Sequence, residues 1–141
     1  MSAYQSFSRA SAYQSVAVHG GVAAANPHQL VAMLYDGAIE RIQSARGKML
    51  TGSAQQSAQL IQRASDIVEE LRMALRPEVG GDMARNMADL YEYCGHRLLV
   101  ASLRQKPEIL DEVAGLLREL RTGWAAIAPA ASAAPVLRTG T

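Results

Sequence analysis

Apolar side chains recur along the chain at steps of three and four, in four separate blocks. That spacing keeps them on one face of a helix. In the first block Val31, Leu34, Ala38, Ile42, Ala45 and Met49 form the stripe, and Leu30, Met33, Tyr35 and Ile39 widen it. The block opens on Asn26-Pro27-His28-Gln29. Asn is a good N-cap, Pro fits the first helical position, and Gln three residues after the cap completes a capping box. Arg46 and Lys48 stand near the end, where the helix dipole favours cations, and Gly52 closes the block. The second block carries Leu60, Ile61, Ala64, Ile67, Val68, Leu71 and Leu75. Its opening, Ser53-Ala54-Gln55-Gln56, reads as another capping box, and Pro77 and Gly80-Gly81 mark the break that follows it.

The third block starts near Asp82, and Met83, Met87, Leu90, Cys94, Leu98 and Ala101 form its stripe. Tyr91, Leu99 and Leu103 lie beside or beyond that stripe. The fourth begins at Pro107-Glu108 and carries Ile109, Val113, Leu116, Leu117, Leu120, Trp124 and Ile127. Each block is roughly 20–24 residues, or about 30–36 Å of helix. Short connections imply antiparallel neighbours, and strand-like alternation is missing. The pattern predicts an all-α, antiparallel up-down four-helix bundle over residues 26–127.

Charge sharpens this division. Residues 1–26 hold one charged side chain, Arg9, and residues 128–141 hold one, Arg138. The two ends, 1–25 and 128–141, therefore read as a flexible N-terminal arm and a disordered Ala/Pro-rich tail. Between them the 12 basic and 13 acidic side chains nearly cancel. No basic excess invites nucleic acid. A single cysteine excludes an internal disulfide or a Cys-based zinc site. No apolar run is long enough for stable membrane insertion. The opening residues lack the order of a signal peptide, so a cytoplasmic protein is expected. The arm repeats Tyr4-Gln5-Ser6 as Tyr13-Gln14-Ser15, either by chance or to dock an aromatic ring onto the body.

Catalysis finds no support. A di-iron bundle site needs two Glu-x-x-His pairs and two more glutamates, but the three histidines, His19, His28 and His96, provide no such pair. The methionines suit core filling better than haem ligation. His28 reads as a polar first-turn residue, Cys94 as a buried structural thiol, and Glu69-Glu70 as a solvated helix face. His96 leaves histidine phosphotransfer as the competing enzymatic reading. No catalytic residue, metal ligand or cofactor is expected. Surface binding remains. Tyr35, Ile39, Met87, Tyr91, Tyr93 and Leu99 cannot all face one core, so they either wrap its edge or line a groove for another chain's helix. A homo-oligomer pairing that surface with itself is the third reading.

Three segments resemble the FliS family of flagellar secretion chaperones. They are Ala12-Tyr13 with Asn26 to Ala38, then Gly80 to Met87 running through Leu90-Tyr91-Glu92-Tyr93 to Ala101, then Glu112 to Leu117 with Trp124 and Ile127. The resemblance implies a non-enzymatic cytoplasmic chaperone. It would bind the C-terminal segment of flagellin, prevent premature polymerisation, and assist delivery to the export gate of the flagellar type III secretion apparatus. Together with the apolar surplus of the first and third blocks, it points to client contacts at Tyr13, Leu30, Leu34, Tyr35, Ile39, Met87, Tyr91, Tyr93 and Leu99. A monomer or weak homodimer is expected. Tyr4 and the Ala/Pro tail fall outside the resemblance, and Cys94 and Ser102 stand where the family usually has Met and Asn.

Overall fold

The computed structural model describes residues 26–75 and 77–126. Among them the chain forms four helices: α1 (Pro27–Leu50), α2 (Ala54–Met73), α3 (Pro77–Arg104) and α4 (Pro107–Ala126). Each packs against the next, and α4 closes the ring against α1. This is the antiparallel four-helix bundle that the periodicity predicts. The arm expected over 1–25 and the tail expected over 128–141 lie outside the described residues.

The apolar stripes meet inside. Val31, Leu34, Tyr35, Ala38, Ile42 and Ala45 of α1 face Ile61, Ala64, Ile67, Val68 and Leu71 of α2 across the most closely packed seam. Tyr91, Cys94, Leu98 and Ala101 of α3 and Leu110, Val113, Ala114 and Leu117 of α4 complete the core. Alanines set among leucines and isoleucines let the helices approach closely and interdigitate. Each large aliphatic side chain taken from water contributes about 1.5–3 kcal/mol before chain entropy is counted. Ser57 joins the core without an unpaired hydroxyl, because its Oγ donates to the Ala54 carbonyl at 3.0 Å.

Helix ends follow local chemistry. The Asn26 side chain accepts from the Gln29 N–H at 2.8 Å, and the Asn26 N–H donates to Gln29 Oε1 at 3.0 Å, which is the expected capping box. At the other end of α1 the Ser53 N–H donates to the Lys48 carbonyl at 2.8 Å and the Gly52 N–H to that of Met49 at 3.2 Å. Gly52 takes φ 81°, and the pair of bonds satisfies two terminal carbonyls. This corrects the second expected capping box. Ser53 makes no side-chain cap, and its backbone, at φ −93° and ψ 70°, lies off the extended conformation of an N-cap. Gly81 leaves helical geometry at φ 59°, ψ −133°, so α3 is a turn over 77–80 followed by a helix over 82–104. The break expected at Gly80-Gly81 is thus a kink on a conformation only glycine adopts easily. Only Gln105 and Lys106 connect α3 to α4. Gln105 alone turns the chain at φ 53°, and the Lys106 N–H donates to the Ala101 carbonyl at 3.1 Å.

Two glycine substitutions separate backbone strain from helix propensity. A Cβ at Gly52 or Gly115 would meet open space. Gly52→Ala is expected to lose about 1 kcal/mol, because the left-handed conformation penalises a side chain. Gly115→Ala lies within α4 and is expected to gain about 0.5–1 kcal/mol. Urea unfolding of both variants checks the opposite signs.

Candidate functional site

The surface candidates are decided by which way α1 and α3 turn their surplus apolar residues. On α1, Leu34, Tyr35 and Ile39 lie in the core. On α3, Tyr91 does too. These four are buried within the bundle, so of the two placements open to them they take the core. An i, i+4 step from Val31 to Tyr35 and from Met87 to Tyr91 keeps both tyrosines on the inner stripe. Leu30 and Met87 are half-buried. Tyr93 and Leu99 are open, at 44% and 56% exposure. Tyr13 lies outside the described residues.

Tyr35 and Tyr91 meet diagonally across the bundle. Their hydroxyls share a hydrogen bond of 2.5 Å, with the rings tilted at 51°. Burial is the main force pushing both phenols above the ordinary tyrosine value, so both stay neutral. Each tyrosine thereby gains a partner for a hydroxyl that would otherwise be costly inside an apolar core.

Large exposed apolar side chains concentrate on α3. Met83, Tyr93, Leu99 and Leu103 all belong to it, whereas α1 and α2 expose only Leu50 and Met73 in this class. Leu99 and Leu103 stand one turn apart, and Leu103 reaches 75% exposure. The periodicity predicts Met83 in the stripe, but it is 57% exposed. The inner stripe runs instead through Ala84, the next residue, which is fully buried, so Met83 is turned outward.

Polar contacts frame this face and seam α4 to its neighbours. Along the α1–α4 seam the Trp124 indole N–H donates to the His28 carbonyl at 2.9 Å, and the two rings stack with centroids 4.6 Å apart. His28 is therefore more than a polar first-turn residue. Farther along, Arg121 grips both carboxylate oxygens of Asp36. Arg46 pairs with Asp111 at 2.8 Å, with its N–H turned off the carboxylate. Across the α3–α4 seam Glu112 accepts from the Tyr93 hydroxyl and from Arg97 Nε at 2.9 Å. Those bonds, Tyr93 first, hold the Glu112 carboxyl below its usual range. Cys94 is fully buried, and burial, helped by the Glu112 charge, pushes its thiol up to about 11. A thiol so protonated is no nucleophile. Glu69 lies on a solvated face and pairs with Arg72, but Glu70 is buried, contrary to expectation. Among the described residues no group of His, Cys, Asp and Glu could hold a metal ion, and no helix is long and apolar enough to cross a membrane.

The chain matches the family described as flagellar protein FliS over residues 9–131. It is 41% identical to the flagellar secretion chaperone FliSB of Pseudomonas aeruginosa, over 79% of this chain and 89% of that protein. It is 38% identical to the flagellar secretion chaperone FliS of Salmonella typhimurium, over 86% and 90%. The Vibrio cholerae chaperone of that name is 36% identical, over 84% and 87%. In structure it is similar to a crystal structure of a flagellar chaperone from bacteria, with a TM-score of 0.69 at 18% identity, covering 86% of this chain and 98% of that one. At that identity the likeness speaks for the fold.

The tyrosine pair gives a double-mutant cycle. Tyr35→Phe or Tyr91→Phe strands the other buried hydroxyl and is expected to cost about 1–3 kcal/mol. The double variant removes both hydroxyls and is expected to cost less than the sum of the two. Urea unfolding of the four proteins measures the coupling.

Proposed function

Because the chain belongs to the FliS family of flagellar proteins, with a chaperone role in flagellar export, we propose that it binds the C-terminal segment of flagellin in the cytoplasm. Bound there, the segment is kept from premature polymerisation until the chaperone helps deliver it to the export gate of the type III secretion apparatus. The chaperone itself performs no catalysis. The observation that carries this reading is the apolar excess on α3. A helix that buries one stripe in its own bundle and leaves Leu99, Leu103, Tyr93 and Met83 in water offers a second chain a surface to cover. An amphipathic client helix buries such residues through side chains at i, i+3, i+4 and i+7.

The client contacts we propose are therefore Tyr93, Leu99 and Leu103, with Leu30 and Met87 at their half-buried edges. Leu34, Tyr35, Ile39 and Tyr91 act indirectly, by setting the positions of α1 and α3. Tyr13 on the N-terminal segment takes part in client handling. A client segment that orders on binding gives up about 2–5 kcal/mol. Covering two leucines on the order of 1.5–3 kcal/mol each offsets that cost.

Calorimetric titration with the flagellin C-terminal segment tests the reading. Saturable 1:1 binding with a negative heat-capacity change is expected. The double variant Leu99→Glu, Leu103→Glu is expected to bind at least about tenfold more weakly, with a nearly unchanged melting temperature because both sites are exposed. Wild-type affinity in that folded variant would move the client elsewhere. A concentration-dependent dimer that the segment does not dissociate would favour self-pairing of this face.

A further inference from the structure

The seam between α3 and α4 differs from the other three. These helices are the least closely packed neighbours in the ring. Ile109, Leu116 and Leu120 recur at helical spacing on the α4 face that carries Glu112, and they pack against the core while remaining half-buried. Leu90 shares the α3 face of Tyr93 and Arg97 and is half-buried as well. One carboxylate spans this apolar seam, accepting from Tyr93 through one oxygen and from Arg97 through the other. Cys94, adjacent to Tyr93 in the chain, is fully buried within the electrostatic reach of that carboxylate.

We propose that the Glu112 clasp is a gate on the α3–α4 seam, closed in the free chain and released when the client segment lays apolar side chains between the two helices. This rests on the client-binding reading above and specifies how the client enters. The clasp is built from exposed polar groups, whose bonds are individually weak and exchange readily with water. The apolar residues it spans gain by being covered. The trade therefore runs toward opening once a client is present and toward closure when none is. Fully apolar packing at this seam would close it permanently, and an uncrossed seam would leave its leucines open to chance contacts.

The native thiol reports on the gate. Cys94 is the only cysteine, so the rate at which N-ethylmaleimide labels the full chain, followed by mass spectrometry, reads exposure of the core beside the clasp. Glu112→Ala removes both bonds and Arg97→Gln removes one. Both variants are expected to label faster than wild type, Glu112→Ala by about three- to tenfold, at little change in melting temperature. Glu112→Ala deletes a negative charge and Arg97→Gln a positive one, so their direct effects on thiol ionisation are opposite in sign. Acceleration in both therefore reports opening. Unchanged rates in both overturn the gate. So does acceleration that merely follows a fall in global stability, measured on the same samples by urea unfolding. The flagellin C-terminal segment is expected to associate faster with Glu112→Ala by a similar factor. Wild-type association beside a faster thiol would overturn the link to the client. Failure of the segment to bind any form would overturn the client reading, with the labelling rates still deciding whether the clasp closes the seam.

Discussion

A four-helix bundle has room inside for one apolar stripe per helix, and α3 carries more than one. Its inner stripe, Tyr91, Cys94, Leu98 and Ala101, satisfies the core. Leu99 and Leu103 are left on the outside by the same 3.6-residue period that puts their neighbours in. No adjustment of the bundle can bury both sets. That apolar excess is the surface on which the proposed client contact rests, and the remaining architecture can be understood as support for it. The diagonal hydroxyl pair of Tyr35 and Tyr91 fixes how α3 is turned, and therefore which of its residues face water.

Packing strength is unequal around the ring. The seam of α1 with α2 is extensive and apolar, whereas α4 is tied to both neighbours by polar contacts: His28 with Trp124, Asp36 with Arg121, Asp111 with Arg46, and Glu112 with Tyr93 and Arg97. Surface ion pairs add little stability, but they orient helices and yield to competition. The extensive α1–α2 seam beside the less closely packed α3–α4 seam suits the proposed holding and release of a client.

Much of the fold is legible in the sequence because helix periodicity and end signals are local. The capping box at Asn26 and the breaks at Gly52 and Gly80-Gly81 can be read directly. The box at Ser53 cannot, because the turn at Gly52 sets the Ser53 backbone off the N-cap conformation, and residue types alone do not show that. The site is less legible. Spacing shows that α1 and α3 carry an apolar excess, but it does not show which members turn inward. Tyr35 and Tyr91 could sit inside only because each supplies the other's hydroxyl partner from 56 positions away. His28 with Trp124 and Glu112 with Tyr93 are likewise long-range pairings. The clue available beforehand was an aromatic or acidic residue on a helix face, which is too common to single out a pair.

The most direct test of the central claim is to titrate the isotopically labelled chain with the flagellin C-terminal segment and follow the backbone amide and side-chain methyl resonances. The account predicts that the largest shifts fall on Leu99, Leu103 and their neighbours along α3 and at the α3–α4 seam, with the outer face of α2 silent. Shifts centred on α2, or none at saturating segment, would contradict it.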